Sequence, residues 1–384
     1  MGAALRAVLI AGEASGDALG AALIEGLRAL APALEVEGVA GPLMMGQGAR
    51  SWFPMEELSV MGLAEVLPRY RALRRRMVEC AARIIAEPPD VLVTIDAPDF
   101  CLRVAARVKA ARPGIPIVHY VAPSVWAWRP GRAAKLKGIV DHVLALLPFE
   151  PPLIEAAGTP CTFVGHPVVT LPVPSPAEAA AFRAAYGTGP LICVLPGSRR
   201  GEVARLAPVF GAALNLLRLD VPSLRVVVPA APAALDMLPE FLAGWPGAPE
   251  ILPPGGPKLL AFAAADLALA ASGTVSLELA RADCPAVIAY DVHPVTRAIL
   301  ARMLRVRTVT LVNLVSETRA VPEFLGRDCR PEPIAARLHA MCTGGARDVH
   351  AAYAATMERL GAGGEPPGLR AARAVTAAIR RAPD

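Results

Sequence analysis

The chain has 384 residues, which is long enough for two domains with separate hydrophobic cores. Hydrophobic residues make up 54% of it, but no run of about 18 uninterrupted apolar residues occurs, so no transmembrane helix is expected. The net charge is only +5, and the basic residues are not consistently spread, which disfavours a nucleic-acid partner. Seven cysteines without CxxC spacing predict a reduced, cytoplasmic compartment and no metal site.

The amino-terminal half alternates strands and helices. Ala7–Gly12 is an apolar run that ends in glycine, and the leucines at 19, 23, 27 and 30 then form a helical stripe. This is typical of a first strand and helix and not of a signal peptide. Further buried strands of the same parallel sheet are predicted at Val91–Ile95, Ile115–Val121, Val140–Leu147 and Cys161–Val164.

A proline-rich linker, Pro167–Pro176, leads to a second alternating half. The whole pattern predicts an α/β protein with two doubly wound, Rossmann-like parallel-sheet domains, at 1–170 and 171–350. A helical tail at 351–384 is expected to cross back to the first domain. Ligands of such sheets bind beyond the carboxyl ends of the strands, so the two domains are expected to face each other across a cleft. The strands of the second half are predicted at Leu191–Leu195, Leu224–Pro229, Asp266–Ala271, Ala286–Tyr290 and Thr308–Val312.

The loop Gly12–Gly16, GEASG, follows the first strand. Ser15 is predicted to cap the following helix, with Asp17 in its first turn. Acidic residues at a helix start disfavour a phosphate, so we expect Glu13, Ser15 and Gly16 to contact a sugar or an acceptor. A helix start with no binding role is the alternative.

Two turns of the second half favour a nucleotide diphosphate. Leu195–Glu202, LPGSRRGE, lies between a strand and a helix. Its glycine and serine leave backbone N–H groups available to a phosphate, and the guanidinium of its first arginine can donate two parallel hydrogen bonds. Ser272–Thr274 again joins a strand to a helix, and Glu278 follows one turn later, able to accept hydrogen bonds from ribose hydroxyls. The residues predicted for the nucleotide are Gly197, Ser198, Arg199, Ser272, Gly273, Thr274 and Glu278.

Two carboxylates are candidates for a general base. Asp96 ends the strand Val91–Ile95, at the edge that is expected to face the cleft. Asp99, three residues later in a proline-flanked loop, is the rival. Capping of the following helix is the alternative for either residue.

The segment His119–Arg132, HYVAPSVWAWRPGR, concentrates aromatic and basic residues in a chain that has only 4 tryptophans. It follows a predicted strand, and α/β proteins place their chemistry in loops at such positions. The pattern favours a binding surface over core packing of Trp126 and Trp128.

An apolar stretch beside an arginine cluster predicts contact with an anionic membrane surface. A solvated helix face is the alternative. The membrane-contact residues are predicted to be Val60, Met61, Leu63, Val66, Leu67, Arg69, Arg74 and Arg75, with Arg71 and Arg76 in the same cluster.

Taken together, these segments resemble the lipid-A-disaccharide synthase family, bacterial glycosyltransferases of the two-domain GT-B architecture. The resemblance runs over nearly the whole chain. It is carried by AGEASGD near the start, GVAGPLM at Gly38–Met44, MEELSVMGLAEVL at Met55–Leu67, IDAPDF at Ile95–Phe100, HYVAPSVWAWR, LPFEP at Leu147–Pro151, FVGHP at Phe163–Pro167, LPGSR, ASGT with Glu278, and the segment around Asn313.

The resemblance implies an inverting transfer from UDP-2,3-diacylglucosamine to 2,3-diacylglucosamine 1-phosphate, giving a β-1,6-linked disaccharide 1-phosphate and UDP. It implies Asp96 as the base, Arg199 at the diphosphate and Asn313 among the donor-binding residues. It further implies acylated glucosamine substrates, no metal or cofactor, and peripheral attachment to the inner face of a Gram-negative inner membrane. The oligomeric state, including a homodimer, is left open. Acceptor or sugar contacts are placed at Ser124, Trp126, Trp128 and Arg129, besides the residues of the GEASG loop.

The chain departs from the family pattern at three positions, all in the second domain. Val312 precedes Asn313 where proline is usual, Asp291 follows Tyr290 where a basic residue is usual, and Gly326 stands where glutamine is frequent. Two other interpretations stay open. One is a different GT-B enzyme, such as the glucosaminyltransferase of peptidoglycan synthesis or a UDP-sugar epimerase, and the other is a non-catalytic peripheral lipid-binding protein.

Overall fold

A computed structural model of the chain describes residues 4–58, 63–126, 131–247, 249–292, 306 and 308–381; for 63–70 it describes the backbone alone. Two compact units make up the fold: Met1–Pro167 with Gly363–Asp384, and Val168–Ala362. Each unit is built on one parallel sheet with helices between strands. The predicted fold class, α/β with two doubly wound parallel-sheet domains, is therefore confirmed.

The first unit carries a seven-stranded sheet. Its central strands are runs of apolar and β-branched residues that are buried on both faces, as strands covered by helices must be. The strands are β1 (Leu5–Ala11), β2 (Leu34–Val39), β3 (Arg50–Ser51), β4 (Val91–Ile95), β5 (Ile117–Tyr120), β6 (His142–Ala145) and β7 (Cys161–Phe163). The helices between them are α1 (Ala14–Leu30), α2 (Pro42–Gly46), α3 (Leu63–Ala86), α4 (Pro98–Ala111), α5 (Gly131–Ala134) and α6 (Glu150–Glu155).

The strand order of this sheet is β3-β2-β1-β4-β5-β6-β7, with every pair parallel. The order changes direction between β1 and β4, so the loops after these two strands form the switch point where such sheets bind ligands. Ala11 pairs with Ile95, and Ile95 pairs with Tyr120. The loops after β1, β4 and β5 therefore leave the sheet at one level.

The second unit carries a six-stranded parallel sheet of order β10-β9-β8-β11-β12-β13, whose switch point lies between β8 and β11. The strands are β8 (Leu191–Leu195), β9 (Arg225–Pro229), β10 (Glu250–Leu252), β11 (Leu267–Ala270), β12 (Ala286–Tyr290) and β13 (Glu323–Leu325). The helices are α7 (Pro176–Ala184), α8 (Arg200–Asp220), α9 (Leu238–Leu242), α10 (Lys258–Ala264), α11 (Val275–Arg281), α12 (Leu311–Ser316), α13 (Pro331–Cys342) and α14 (Arg347–Arg359). Short 3-10 helices lie at Met55–Glu57, Pro167–Thr170, Pro232–Met237 and Gly326–Asp328.

One predicted strand, Thr308–Val312, is wrong, because helix α12 begins at Leu311 and the last strand of the sheet is β13. The carboxylate of Glu323 explains the difference. It accepts hydrogen bonds from the backbone N–H groups of Val309 (2.9 Å) and Thr310 (2.8 Å) and from the Thr310 hydroxyl (2.7 Å). One side chain thus satisfies donors that a strand would have given to a neighbouring strand.

The carboxyl-terminal tail divides between the two units. Helix α14 belongs to the second unit, so the tail predicted at 351–384 starts too early, and only residues from Gly363 onward join the first unit. There the last helix, α15 (Pro367–Arg381), packs closely on α1. A Cβ atom at Gly26 would lie 2.6 Å from the carbonyl oxygen of Gly368, and one at Gly368 would collide with the carbonyl oxygen of Ala22. Small residues on both helices permit this contact.

Within the described ranges, no helix is both long enough and apolar enough to span a bilayer.

Candidate active site

The carboxyl edge of the first sheet brings four predicted segments into one row. Strands β1, β4, β5 and β6 are neighbours, and each is followed by a loop that the sequence singled out. These are the GEASG loop after β1, the loop at Asp96 after β4, the aromatic segment after β5 and the LPFEP loop after β6. Residues far apart in the chain thus share one edge.

Asp96 lies at this edge with a left-handed backbone conformation that residues other than glycine rarely adopt. Its φ is 50°, and that of Ala97 is 41°. Such left-handed backbone costs of order 1–3 kcal/mol per residue and clusters at functional sites. The backbone N–H of Asp96 donates to the carbonyl of Tyr120 at 2.9 Å, which fixes the loop to β5.

The environment of Asp96 favours proton uptake. Burial raises the pKa of its carboxyl group above the ordinary value, and a hydrogen bond from the Ala97 backbone lowers it in part. Asp96 is half-buried, whereas its rival Asp99 is exposed on the first turn of α4. A carboxylate with a raised pKa holds a proton better, which suits a general base.

The GEASG loop lies directly beside the Asp96 loop. A Cβ atom at Gly12 would lie only 2.8 Å from the Cβ of Ala97, so glycine permits this approach. Glu13, half-buried, stands at the N-cap of α1 without a side-chain capping bond. The predicted cap at Ser15 is wrong, because Ser15 lies inside the first turn of α1 and is exposed.

Asp17 does cap a helix, but a different one. Its buried carboxylate accepts hydrogen bonds from the backbone N–H groups of Gly41 (3.0 Å), Leu43 (2.9 Å) and Met44 (3.0 Å) at the start of α2. Gly16 beside it is buried against Ile95 of β4. Asp17 and Gly16 therefore hold α1 to its neighbours.

The aromatic segment contributes Trp126, which is half-buried. Its indole N–H donates to Oε1 of Glu150 at 3.3 Å, and its ring meets that of Phe149 edge to face, with the centroids 5.5 Å apart. Ser124 is exposed on the same loop. Trp128 and Arg129 lie outside the described residues, so their predicted acceptor contacts stay predictions.

Glu150 is a residue that sequence reasoning did not select. It is 4% exposed, and its Oε2 accepts the backbone N–H of Leu147 at 3.0 Å. Burial raises the pKa of its carboxyl group to about 7, against the effect of these hydrogen bonds. Its only signal in the sequence was an acid between apolar and proline residues in LPFEP.

In the second unit, both predicted nucleotide turns lie at the switch point of the sheet. Leu195 at the end of β8 pairs with Ala270 at the end of β11, so the turns that follow are neighbours. Gly197 has a φ of +127°, a region that favours glycine. The structure therefore brings LPGSR and the Ser272–Thr274 turn together, as predicted.

Two backbone N–H groups of the LPGSR turn, those of Ser198 and Arg199, are not free, which corrects the prediction for Ser198. Ser198 and Arg199 both donate to Oε2 of Glu202, at 3.2 and 3.3 Å. The other oxygen of Glu202 accepts the Tyr290 hydroxyl at 3.1 Å and lies 3.7 Å from the Arg199 guanidinium. Glu202 is thus an acidic residue, not selected from the sequence, that occupies the N–H of Ser198, one of the donors expected for a phosphate.

The second turn is more open. Gly273 and Thr274 are exposed, and Ser272 is half-buried. Glu278, expected to face ribose hydroxyls, forms an ion pair with Lys258 at the start of α10. Lys258 was missed because the strand that precedes its loop, β10, is only three residues long.

The side-chain amide of Asn313 forms hydrogen bonds with neighbouring residues of the protein. It is buried, its amide nitrogen donates to the Val321 carbonyl (2.9 Å) and the Thr308 hydroxyl (3.3 Å), and its amide oxygen accepts the Val321 N–H (3.0 Å). Its contacts support a structural role and give no support to a donor contact. The preceding Val312 is fully buried, and Gly326 has a φ of 58°, which glycine tolerates best.

The basic segment is described only in part. Val60 and Met61 lie outside the described residues, and so do the side chains of Leu63, Val66, Leu67 and Arg69. Arg71, Arg74 and Arg75 are exposed on α3. Arg76 is not available to lipid, since it donates to both oxygens of Glu57 (2.7 and 2.8 Å) and lies over the Phe53 ring.

In the described part of the chain, no three His, Cys, Asp or Glu side chains are grouped so that they could hold a metal ion.

Comparison with known proteins decides between the interpretations. The model of the lipid-A-disaccharide synthetase family matches residues 7–363. The chain belongs to the lipid-A-disaccharide synthetase family. The predicted activity, a glycosyl transfer in lipid A biosynthesis, is therefore confirmed at the level of the family.

Curated relatives agree over almost the whole length. The lipid-A-disaccharide synthase of Ruegeria pomeroyi is 58% identical, covering 97% of this chain and 95% of the relative. The enzymes of the same name from Rhodospirillum centenum and Paramagnetospirillum magneticum are 48% and 45% identical, each over 97% of this chain and over 94% and 97% of the relative.

Solved structures with little sequence identity share the fold. A UDP-GlcNAc 2-epimerase from Neisseria meningitidis, bound to UDP-GlcNAc, matches with a TM-score of 0.62 at 12% identity, covering 98% of this chain and all of that chain (100%). Anabaena Alr3699/HepE, in complex with UDP-glucose, matches with a TM-score of 0.60 at 14% identity, over 98% and 99% of the two chains. These likenesses support the GT-B fold class.

Proposed function

We propose that the chain transfers the acylated glucosamine of UDP-2,3-diacylglucosamine to the 6-hydroxyl of 2,3-diacylglucosamine 1-phosphate. The products are the β-1,6-linked disaccharide 1-phosphate and UDP. The observation that carries the proposal is the family match over residues 7–363, and the site geometry supports it. Asp96 supplies a candidate base in one unit, and the two turns after β8 and β11 supply a candidate nucleotide site in the other.

The reaction requires one deprotonation and one displacement. Asp96 takes the proton of the acceptor 6-hydroxyl, and the oxygen attacks the anomeric carbon of the donor. The bond from that carbon to the diphosphate breaks, and its electron pair leaves with UDP. Attack from the face opposite the leaving group inverts the anomeric centre without a covalent intermediate. The raised pKa of Asp96 supports its part, because the carboxyl group retains the proton that it receives.

The departing diphosphate needs positive charge. Arg199 has a side chain that is 63% exposed, so its guanidinium is accessible to a ligand. Hydrogen bonds from arginine to phosphate oxygens are charge-assisted and stronger than neutral ones. We propose that the Arg199 guanidinium binds the diphosphate beside Gly197, in place of the Ser198 N–H that Glu202 occupies, and that Ser272, Gly273, Thr274 and Glu278 bind the nucleoside, with no metal or cofactor required.

The acylated substrates also suggest where the enzyme works. We propose that the apolar stretch Val60–Leu67, which runs into α3, and the exposed arginines Arg71, Arg74 and Arg75 hold the enzyme on the cytoplasmic face of an anionic inner membrane. Both substrates carry acyl chains, and attachment to the surface brings the site to them.

Release of UDP tests the reaction. Purified protein is given the acylated UDP-sugar in neutral detergent, with and without the acylated glucosamine 1-phosphate, and UDP and lipid products are quantified. The proposal expects UDP release that depends on the acceptor, with disaccharide 1-phosphate formed in equal amount. UDP release without acceptor, or isomerisation of the sugar, would favour the epimerase interpretation. Binding of lipid with no product from either mixture would favour a non-catalytic lipid-binding protein.

A further inference from the structure

An open groove of about 500 Å³ lies at the carboxyl edge of the first sheet, next to the loop of Asp96. It is bounded by the first turns of α4, by the loop after β5 and by α5. Pro123 and Arg132 in its lining belong to the segment His119–Arg132, which the sequence predicts to be a binding surface, and Asp99 was considered as a base; Lys135 was not selected from the sequence. The lining includes Pro98, Asp99, Leu102, Pro123, Arg132 and Lys135.

Two cations of the groove lie on one turn of backbone. The N–H of Lys135 donates to the carbonyl of Arg132 at 3.2 Å, so the two side chains are three residues apart in a helical turn and project on the same side. Lys135 is exposed and forms no ion pair with any residue that the structure describes. Among the lining residues that the structure describes, Arg132 and Lys135 are basic and Asp99 is acidic, so their formal charges sum to a positive value.

The rest of the lining is apolar, from Pro98, Leu102 and Pro123. A groove with two cations and apolar walls is complementary to a phosphate attached to a less polar body. Of the two substrates, only the acceptor carries a phosphate monoester. The two phosphates of the donor form a diphosphate that is esterified to uridine at one end and to the sugar at the other. A monoester near neutral pH carries close to two negative charges.

The position of the groove fits the same substrate. Pro98 and Asp99 follow Asp96 directly in the chain, so the groove starts where the loop of the base ends. The 6-hydroxyl and the 1-phosphate are substituents of a single pyranose ring. A base for the hydroxyl and a cationic site for the phosphate must therefore be near neighbours in one unit, as Asp96 and the groove are.

We propose that Arg132 and Lys135 bind the 1-phosphate of the acceptor in this groove. The inference rests on the proposed function and adds a recognition site to it. The groove selects a glucosamine that bears a 1-phosphate and orients its 6-hydroxyl toward Asp96. It is separate from the diphosphate site at Arg199, which lies in the other unit.

The test compares two acceptors. Initial rates are measured for the wild type, Lys135→Ala, Arg132→Ala and Arg132→Lys, with 2,3-diacylglucosamine 1-phosphate and with the same sugar lacking the phosphate. Loss of a charged contact is expected to raise the KM for the phosphorylated acceptor on the order of tenfold or more, with the donor KM unchanged. Arg132→Lys is expected to recover part of the loss because it keeps the charge.

Lys137→Ala is the matched control, since Lys137 is exposed near α5 but lies beside Gly158, outside the groove. With the acceptor that lacks phosphate, the wild type and the variants are expected to have equal kcat/KM. All rates are measured in neutral detergent, so anionic headgroups cannot account for a difference. An equal penalty with both acceptors, or an unchanged KM in Lys135→Ala and Arg132→Ala, overturns the inference.

The proposed function fails in a different way. If the wild type makes no disaccharide from the phosphorylated acceptor, the reaction itself is refuted. If the wild type turns over and all variants match Lys137→Ala, only the phosphate site is refuted. A further arm measures vesicle binding: a loss of binding to anionic vesicles in Lys135→Ala, with acceptor KM intact, would assign the cations to lipid headgroups and reject the inference.

Discussion

The carboxylate of Glu150 accepts the indole N–H of Trp126 at 3.3 Å, and this hydrogen bond joins the loop after β6 to the loop after β5. Both partners lie at the edge of the sheet that carries Asp96. Glu150 is almost fully buried, and its pKa is raised to about 7, so its charge changes near neutral pH. The hydrogen bond of Trp126 is therefore coupled to the protonation of Glu150.

This coupling predicts a dependence of stability on pH. The folded state holds the Glu150 proton more tightly than the unfolded state, whose pKa is near 4.5, so the free energy of unfolding falls as pH rises from 4.5 to about 7. Ionisation of Glu150 lowers the free energy of unfolding by about 3 kcal/mol in total. The decrease begins near pH 4.5 and is complete above pH 7. Urea unfolding of the wild type and of Glu150→Gln across this range measures the difference. Trp126→Phe removes a hydrogen-bond donor to the carboxylate and should move the pKa of Glu150 in the folded state above 7. Parallel profiles of unfolding free energy against pH for the wild type and Glu150→Gln would contradict the assignment.

Asp96→Ala is expected to lower kcat by about 10²–10⁴-fold, the usual contribution of a general base. UDP affinity should stay within a few-fold, because Asp96 lies in the first unit and the nucleotide turns in the second. Steady-state rates and UDP titration measure the two effects. Asp99→Ala is the matched control, and a larger loss there than in Asp96→Ala would transfer the role of base to Asp99.

Arg199→Ala is expected to weaken donor use, since its guanidinium is accessible at the LPGSR turn. Hydrogen bonds to charged groups contribute roughly 1.5–3 kcal/mol, which corresponds to a loss of kcat/KM for the donor of about 10- to 150-fold. Arg218→Ala, exposed in the last turn of the same helix α8, controls for the loss of charge. Equal kinetic constants for Arg199→Ala and Arg218→Ala would contradict binding of the diphosphate at this turn.

Two glycines of the LPGSRRGE segment, one in the turn and one in the helix that follows, should respond oppositely to alanine. Gly197 has a φ of +127°, and a Cβ atom there would lie 2.6 Å from the Cβ of Glu202, so Gly197→Ala should destabilise the protein by at least about 1 kcal/mol and weaken UDP binding. Gly201 has open space around its Cβ position and lies in α8, so Gly201→Ala should be neutral or stabilise by about 0.5–1 kcal/mol. Thermal melts with and without UDP compare them. A stable Gly197→Ala with normal UDP affinity would show that the turn tolerates a side chain.

Membrane attachment should depend on arginines Arg71, Arg74 and Arg75. Each basic residue near an anionic surface contributes about 1 kcal/mol, and the attraction is screened over about 8 Å at physiological salt. The triple serine variant should bind anionic vesicles much more weakly than the wild type, whose binding should itself fall as salt rises. Arg76 is left intact because its guanidinium is engaged in an ion pair with Glu57.

Flotation with anionic and neutral vesicles measures this binding. A triple serine variant of exposed arginines elsewhere, Arg218, Arg347 and Arg380, controls for net charge. Equal recovery on both kinds of vesicle, insensitive to salt and to either triple substitution, would place the arginines in solvent and reject the membrane contact.

Much of the fold could be predicted because it depends on local patterns. Buried strands such as β4 and β8 are continuous apolar runs bounded by polar turns, and the glycine-rich turns after β8 and β11 stand out by composition. Strands β2, β3, β10 and β13 were missed because they are short or carry acidic residues, so they lack that signal. Each owes its existence to pairing with a neighbour.

The amino-acid sequence alone thus determined the two parallel-sheet domains, the family resemblance and the position of Asp96 at a strand end. Only the tertiary structure decided which polar groups are available. It assigned the N–H groups of Ser198 and Arg199 to Glu202, the side chain of Asn313 to Val321, and the carboxylate of Glu150 to Trp126. Hydrogen-bond partners follow from strand order and side-chain burial, which bring together residues remote in the chain, and no local pattern encodes them.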